Sequence, residues 1–319
     1  NAYKVKGPGV VTGRSGSLGT VQYVEEDFWP LNTSLYVKDF KGNDPRFVYY
    51  FLQTMHLENY NSGLGVPTLN QNHLHHIKIL TPEKLEDQSK IVSIPSLYDD
   101  LIEVNKHRIA LLEESARELH NEWFVRMRFP EWEKTKFVDG IPEGWKIGQL
   151  NDLCYISAGK DKPTDVSQKK DSAHAFPIFS NGIEDDGLFG YTTSPRITNK
   201  SFTISARGTI GFVALHLLPF VPIVRLLVLI PKQIILLNYL YLWAKYNTIK
   251  GNGTSQQQLT VPMISKEKVI IPTTDLLVKF SEYISKFVML KENTKQENYI
   301  LAHQRDRLLP RLMSGRLEV

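Results

Sequence analysis

Residues 97–129 read LYDDLIEVNKHRIALLEESARELHNEWFVRMRF, and their apolar side chains recur at alternating spacings of four and three. This pattern predicts a long helix with a heptad seam and charged outer faces. At 1.5 Å per residue, some thirty helical residues make a rod of roughly 50 Å. A rod of that length needs a second helix to cover its seam. The seam consists of Tyr98, Ile102, Asn105, Ile109, Leu112, Ala116, Leu119 and Trp123.

The C-terminal region, near Asp275 to Leu317, supplies a candidate for that second helix. Apolar residues keep the heptad register, but three polar residues stand where apolar ones are expected. Such a helix would be marginal alone, and short linkers favour antiparallel pairing with the first. The residues in register are Phe287, Leu301, Leu308 and Leu312, and the polar exceptions are Lys291, Thr294 and Arg305.

Length and composition indicate an ordinary globular protein with two or three cores, because 319 residues carry 42% hydrophobic and 23% charged side chains. The net charge of +4 permits a nucleic-acid partner without demanding one. The one cysteine, Cys154, excludes an intrachain disulfide and fits the reducing cytoplasm. The most apolar stretch, Leu217 to Trp243, is interrupted by prolines and charges, which predicts buried strands and a helix rather than a membrane span.

The chain contains an internal tandem repeat. SGSLG and RGTIG match at an offset of 192 residues, as do FWP and FVP, and Pro82 matches Pro272 at 190. In the helices the offset is 189, so the drift over the whole span is three residues. The matched pairs are Gly16 with Gly208, Leu18 with Ile210, Gly19 with Gly211, Phe28 with Phe220, Pro30 with Pro222, Leu112 with Leu301, and Leu119 with Leu308.

Taken in order, the chain predicts a β-rich domain at residues 1–82, a helical region at 83–130, a linker and second β-rich domain at 131–272, and a helical region at 273–319. A short helix is expected at Arg46–Met55, and HIKILTP is expected to be a strand ended by Pro82. A second short helix at 83–94 should break at Pro95. Only about a dozen residues precede SGSLG, against about sixty before RGTIG, so the first copy is interpreted as shortened at its start.

These features resemble the specificity subunit of type I restriction–modification enzymes. The resemblance covers essentially the whole chain and depends on IPEGW (141–145), the RSGSLG and RGTIG turns, GTSQQQLT before VIIP, and EDQSKIVSIPSLYDDLIEVNKHRIALLEE, all in the family's order. The chain departs from the family in its shortened first domain. It also departs in its second helical region, which reads LLVKFSEY where Glu86 and Gln88 stand in the first.

The resemblance implies an α+β fold, in which two target-recognition domains are separated by two long helices that form an antiparallel coiled coil with pseudo-twofold symmetry. Each domain would read one half of a split double-stranded DNA site, and the helices would set the spacing. The subunit would have no catalytic activity and no cofactor of its own. It would recruit two methyltransferase subunits and motor-nuclease subunits, which hold the S-adenosylmethionine, ATP and Mg.

The DNA contacts can be predicted from side-chain chemistry. Amides, hydroxyls, Arg and Lys reach base edges, while cations, hydroxyls and exposed N–H groups bind phosphates. Polar loops of both domains carry such groups, although each could also be a solvated loop. The candidates are Arg14, Ser15, Ser17, Asn70, Gln71, Asn72, Lys160, Lys162, Lys169, Lys170, Asn181, Arg207, Thr209, Thr254, Ser255, Gln256 and Gln257. The candidates for helix pairing or partner docking are Ile102, Asn105, Ile109, Leu112, Leu119, Trp123, Leu301, Leu308 and Leu312.

Several residues have two interpretations. The glycines of the two turns either admit a phosphate or only permit tight turns. Asn105 either fixes the helix register or lies hydrated at an edge. Trp123, Phe124 and Phe129 either form a docking surface or pack under a domain. His73 and His75, which would share a face of a strand, lack the further ligands of a metal site, so no metal is predicted.

Enzyme motifs are missing from the sequence: there is no phosphate-binding GxxxxGK[ST], no adenine-methyltransferase tetrad, no HExxH and no GxSxG. A non-catalytic DNA-recognition subunit is therefore the main hypothesis. The first alternative is a helical scaffold that organises partner proteins without reading DNA. The second is the recognition part of a nuclease–methylase fusion.

Overall fold

The structure is a computed structural model that describes residues 4–62, 67–247 and 258–317. The chain divides into two compact units. Unit 1 combines Asn1–Ile109 with Asn293–Val319, and unit 2 is Ala110–Glu292. Each unit therefore contains one β-rich domain together with part of each long helix. The linear domain limits given above stay predictions.

Unit 1 is built on a three-stranded antiparallel sheet in the order β2-β1-β3. A helix covers the sheet, and its Phe47 and Tyr50 are buried against Val92, Leu309 and Met313 of the long helices. The elements are β1 (Gly9–Gly13), β2 (Val21–Val24), β3 (Ser34–Tyr36), α1 (Pro45–Thr54), α2 (Gln71–His75) and the first part of α3 (Leu85–His120).

The described residues of unit 2 form four sheets, of which the largest is four-stranded in the order β11-β10-β13-β7. A second sheet has the order β12-β8-β9, and two pairs, β14-β6 and β4-β5, complete the unit. The elements are β4 (Phe137–Val138), β5 (Ile141–Pro142), β6 (Lys146–Gln149), α4 (Leu150–Leu153), β7 (Cys154–Ala158), β8 (Phe176–Phe179), β9 (Leu188–Thr192), β10 (Ser201–Ile204), β11 (Val213–His216), β12 (Val221–Pro222), β13 (Leu227–Pro231), α5 (Leu237–Tyr246), α6 (Val261–Ser265), β14 (Lys268–Ile271) and the first part of α7 (Thr274–Met313).

The internal repeat is present down to the strand register. In unit 1, β1 pairs Val11 with Tyr36 of β3, and 192 residues later β10 pairs Thr203 with Val228 of β13. The hairpins β1-β2 and β10-β11 correspond in the same way, as do helices α1 and α5. The α+β fold with two β-rich domains and two long helices is thereby confirmed.

The long helices are antiparallel within each unit. In unit 1, Asp99 pairs with Arg305, and the amide of Asn105 donates to Glu297 Oε2 over 3.1 Å. Asn105 is buried, so the hydrated-edge interpretation is wrong and the register interpretation agrees with its contact. In unit 2, Glu113 accepts from Lys291 and Trp123 lies against Phe280.

Pro95 does not break the first long helix, which is continuous from Leu85 to His120. Proline removes one helical hydrogen bond. Here Pro95 and its neighbour Ser96 lie on the buried face, where packing of the surrounding turns offsets that loss. The predicted helix at 83–94 is therefore the start of α3. The regular helix ends at His120, before Phe129, and continues into a π-helical turn, Asn121–Val125.

The expected strand at HIKILTP is also wrong, because residues 76–82 form no strand. Ile79 and Leu80 are exposed by 55% and 90%, whereas the corresponding residues of the second copy lie in β14 and pair with β6. A strand requires a partner, and the described part of unit 1 contains no counterpart of β6. The linker predicted at the start of the 131–272 segment contains the small β4-β5 hairpin.

The apolar stretch Leu217–Trp243 contributes β12, β13 and α5 to the core of unit 2, as the sequence predicts. Within the described residues, no helix is long and apolar enough to cross a membrane.

Candidate nucleic-acid interface

Three connections of unit 2 leave the same end of the four-stranded sheet. Strand register places Ala158 opposite Leu227, Leu227 opposite Ile204, and Ile204 opposite Val213, so these four residues form one row across the sheet. The connections that leave this row are residues 159–162, 205–212 and 223–226. We call them together the loop end of unit 2.

The connection at 223–226 is a tight turn that leads from β12 into β13. The N–H of Leu226 donates to the carbonyl of Ile223 over 3.1 Å, and Val224 and Arg225 have φ of +51° and +61°. Two central residues with positive φ define a type I′ turn. Its backbone is held by the first loop, because the N–H groups of Val224 and Arg225 donate to the carbonyls of Lys160 and Gly159 over 3.0 and 3.1 Å.

Asn181 connects this turn to the loop at 205–212. Its Nδ2 donates to the carbonyl of Val224 and its Oδ1 accepts from the N–H of Ala206, both at 2.7 Å. The base contact of Asn181 stays a prediction, and its amide already forms hydrogen bonds with protein backbone on both sides. Its role visible here is to position two loops.

The other predicted residues of the second domain fall into four groups. Lys160, Lys162 and Arg207 are exposed at the loop end, and Arg207 donates to Gln258 Oε1 over 3.2 Å. Thr209 is in the same loop, but its hydroxyl oxygen is buried and meets no partner among the described residues, which disfavours a DNA contact. Lys169 and Lys170 follow Ser167, which bridges to β9. The last group, Thr254, Ser255, Gln256 and Gln257, lies outside the described residues.

Sequence reasoning missed two cations at the loop end. Arg196 Nη1 donates to the carbonyl of Asp161 over 2.7 Å, and Arg225 is exposed at the tip of the turn. Arg225 could have been found, since it is the one charged residue in the apolar run VPIVRLLVLIP at 221–231. Asp165 stays negatively charged, because hydrogen bonds from Thr193 and Thr192 stabilise its carboxylate and hold its pKa well below the usual value.

In unit 1 the corresponding loop follows β1 and contains Arg14, Ser15 and Ser17. The N–H groups of Arg14 and Ser15 donate to the carbonyl of Thr33 over 2.9 and 3.2 Å, and the carbonyl of Arg14 accepts from Leu69. Arg14 lines a cleft of about 230 Å³ together with Asn70 and Gln71. The full lining is Arg14, Leu35, Ser62, Thr68, Leu69, Asn70 and Gln71.

The segment after this cleft is helical rather than extended. Asn70 Oδ1 accepts from the N–H of Asn72 over 3.0 Å and caps α2. Asn72, His73 and His75 are exposed on that short helix, so the two histidines do not share a strand face. Ser17 is also exposed, and its carbonyl accepts from Thr20.

The residues of the predicted helix seam are buried or half-buried in both units. They are Ile102, Asn105, Leu301 and Leu308 with Ile109 and Leu312 in unit 1, and Leu112, Leu119 and Trp123 in unit 2. Trp123, Phe124 and Phe129 are 6–7% exposed in the unit 2 core, so they pack under the domain and offer no free docking surface.

Polar side chains replace apolar ones at two seam positions and find acidic partners. In unit 2, Glu113 lies 3.1 and 3.2 Å from the ammonium groups of Lys245 and Lys291. Burial alone would raise the pKa of Glu113, but the two lysines lower it. In unit 1, Asp99 accepts from Arg305 and from the hydroxyl of Tyr50, the latter over 2.6 Å.

The chain matches one protein family over most of its length. A family profile described as "Type I restriction modification DNA specificity domain" matches residues 1–114 and 142–300. A Mycoplasma pneumoniae protein provisionally described as a type I specificity subunit is 36% identical over 132 residues, which are 41% of this chain and 36% of that protein. The MjaIX specificity subunit of Methanocaldococcus jannaschii is 24% identical over 86% of this chain and 69% of its own.

The fold has a counterpart among solved structures. The crystal structure of the S subunit of a type I restriction–modification system from M. genitalium superposes with a TM-score of 0.56 at 17% identity, covering 98% of this chain and 84% of that one. At this identity the similarity concerns the fold alone.

Proposed function

Because this chain belongs to the family of type I restriction–modification specificity subunits, we propose that its two loop regions each read one half of a bipartite duplex DNA site. Specificity subunits are the non-catalytic DNA-recognition components of these systems. In unit 2 the reading surface would be the loop end, and in unit 1 the loop of Arg14 with its adjacent cleft.

The observation that carries this proposal is the convergence of exposed cations on a rigid backbone. Lys160, Lys162, Arg207 and Arg225 all lie on the three loops that leave one row of the sheet. Backbone hydrogen bonds and Asn181 join two of these loops to the turn. Cations bind phosphates and guanine edges, and fixed loops lose little entropy on binding.

The long helices would dock the methyltransferase subunits. Leu97, Leu101 and Val104 of α3 in unit 1 are 70%, 41% and 61% exposed, at spacings of four and three that put them on one helix face. An exposed apolar face of this kind fits a protein partner. We propose two methyltransferase subunits and motor-nuclease subunits as partners, in the cytoplasm, with S-adenosylmethionine, ATP and Mg held by those subunits.

The deciding experiment is duplex binding by the purified chain, with and without its methyltransferase subunit, over a salt series and against random-sequence competitors. We expect selection of a split motif, with affinity that falls as salt rises. Selection of a single half-motif would restrict recognition to one unit. Absence of any sequence preference in all conditions would instead support the scaffold alternative.

A further inference from the structure

We propose that Arg225 determines specificity in the second recognition domain by contacting a guanine edge in the major groove, presented there by the type I′ turn at 223–226. This inference rests on the proposed DNA-recognition function and assigns one base contact within it. Arg225 belongs to no motif that the sequence analysis selected.

The first observation is backbone strain. Val224 and Arg225 are both in the left-handed region, at φ +51° and +61°, and for a β-branched residue such as Val224 that conformation is a rare outlier. Glycine or asparagine normally fills these positions in a type I′ turn. Backbone strain of this kind persists only where the surrounding structure holds the residue in place, and it is concentrated at functional sites.

The first copy shows that the repeat does not require this strain. Leu31–Ser34 corresponds to Ile223–Leu226 at the offset of 192, and the N–H of Ser34 closes the same turn on the carbonyl of Leu31 over 3.0 Å. Its central residues, Asn32 and Thr33, are not among the described residues with positive φ. The strained turn is therefore particular to the second domain.

The second observation is rigidity. Hydrogen bonds hold the turn from both sides. On one side, the carbonyls of Lys160 and Gly159 accept from the turn, and the N–H of Gly159 donates to the carbonyl of Leu226 over 2.8 Å. On the other side, the amide of Asn181 donates to the turn. A Cβ on Gly159 would lie 2.8 Å from the carbonyl carbon of Pro222, so only glycine permits the two backbones to approach this closely. A base contact requires such fixed geometry, whereas a flexible lysine can find a phosphate without it.

The third observation is the free guanidinium. At the loop end, the guanidinium groups of Arg196 and Arg207 are bound to protein oxygens. Arg225 is exposed, and none of the described residues makes a hydrogen bond or ion pair with its side chain. Its planar fork can therefore bind O6 and N7 of guanine together, which is the commonest specific arginine contact in DNA recognition.

The test uses the full chain with its methyltransferase subunit and selects binders from duplexes randomised across the site. Arg225→Ala should reduce the preference for guanine at one position by about 10- to 100-fold and leave the other positions unchanged. Arg225→Lys should keep most affinity but not the preference, because an ammonium lacks the fork. The matched control is Lys200→Ala, an exposed cation before β10 at the opposite end of the sheet.

The outcomes separate the alternatives. If Arg225→Ala weakens binding equally for all sequences and reduces the salt slope by about one, Arg225 is a phosphate contact and the proposal is overturned. If the variant selects the same motif as the wild type, it is overturned as well. A wild-type chain without sequence preference would refute the proposed function itself. Thermal unfolding of each variant shows whether a lost preference reflects a lost fold, and Arg225→Lys then provides the second, more conservative change.

Discussion

The two copies of the repeat share a core and differ in what surrounds it. Sheet β2-β1-β3 with helix α1 corresponds strand by strand to β11-β10-β13 with helix α5. In unit 2 the outer edge of β13 pairs with β7, and β14 pairs with β6. In unit 1 the edge of β3 and the segment 77–82 find no such strand among the described residues. The same sequence signal therefore gives a strand only where a partner is present.

The two copies also differ where each domain meets its helices. In unit 1, α1 packs on Leu309 and Met313, which are apolar. At the offset of 189, unit 2 has His120 and Phe124, and His120 is buried between Phe124, Tyr239 and Phe280. A buried imidazole thus occupies the place of a leucine. We therefore expect the two cores to respond differently to pH.

The largest expected effect concerns His120. Burial lowers the pKa of His120 to about 4, although the side chain of Asn121 opposes this shift. Neither ring nitrogen forms a hydrogen bond with any described residue. The unfolded chain takes up this proton near pH 6.5 while the folded chain does not, so the free energy of unfolding should decrease from about pH 6.5 down to about pH 4, by about 3 kcal/mol in total. Urea titrations at several pH values, in which tryptophan fluorescence reports the unfolding of unit 2, measure this decrease.

His120→Leu should remove this pH dependence and stabilise unit 2 at neutral pH by about 1 kcal/mol, because no polar group is then buried without a partner. The matched control is Leu309→Met in the first copy, which conserves volume and adds no titrating group. An unchanged acid slope in His120→Leu would show that the imidazole is hydrated or paired in solution, and the contrast between the two cores would fail.

The second effect concerns the strand that only one copy forms. Val269 in β14 is 1% exposed, and its counterpart at the offset of 190 is Ile79, which is 55% exposed. Val269→Ala should decrease the free energy of unfolding by about 2 kcal/mol through lost packing. Ile79→Ala should change it by no more than about 0.5 kcal/mol.

Chemical denaturation of both variants, compared with the wild type, gives these two values. An equal cost at both positions would mean that residues 77–82 are covered in solution by a strand like β6. The two copies would then be more alike than the described residues indicate.

This contrast also shows how far sequence reasoning reaches in this chain. The heptad seam predicts α3 and α7 because helix periodicity is local, and the fixed offset predicts the repeated sheet because it compares the chain with itself. The strand at 77–82 and the break at Pro95 were wrong for a common reason: both outcomes depend on packing with residues distant in sequence.

The site was predictable only at the level of loops. Composition selected the loops that contain Lys160 and Arg207, but no sequence signal shows that the hydroxyl of Thr209 is buried or that Asn181 connects two loops. Those roles depend on where individual atoms point. Whether any of these residues contacts DNA stays a prediction.

The smallest effect tests the turn at 223–226, whose backbone differs between the two copies. Val224→Asn gives the second copy the residue that the first has at Asn32, and asparagine tolerates the left-handed region that costs valine about 1–2 kcal/mol. Since Val224 is 50% exposed, little apolar packing is lost. We expect the free energy of unfolding to increase by about 1 kcal/mol, which calorimetry would detect as a rise of about 2–4 °C in the Tm of unit 2.

The reciprocal change, Asn32→Val, is the control, and it should have almost no effect because Asn32 is not among the described residues with positive φ. If Val224→Asn increases the free energy of unfolding and leaves DNA selection unchanged, Arg225 is presented equally well without valine. The surrounding loops would then impose the strained conformation of the turn. If the free energy of unfolding increases and the preference for guanine becomes weaker, the strained conformation of Val224 contributes to recognition. A destabilised Val224→Asn would contradict the strained turn, and with it the difference between the copies.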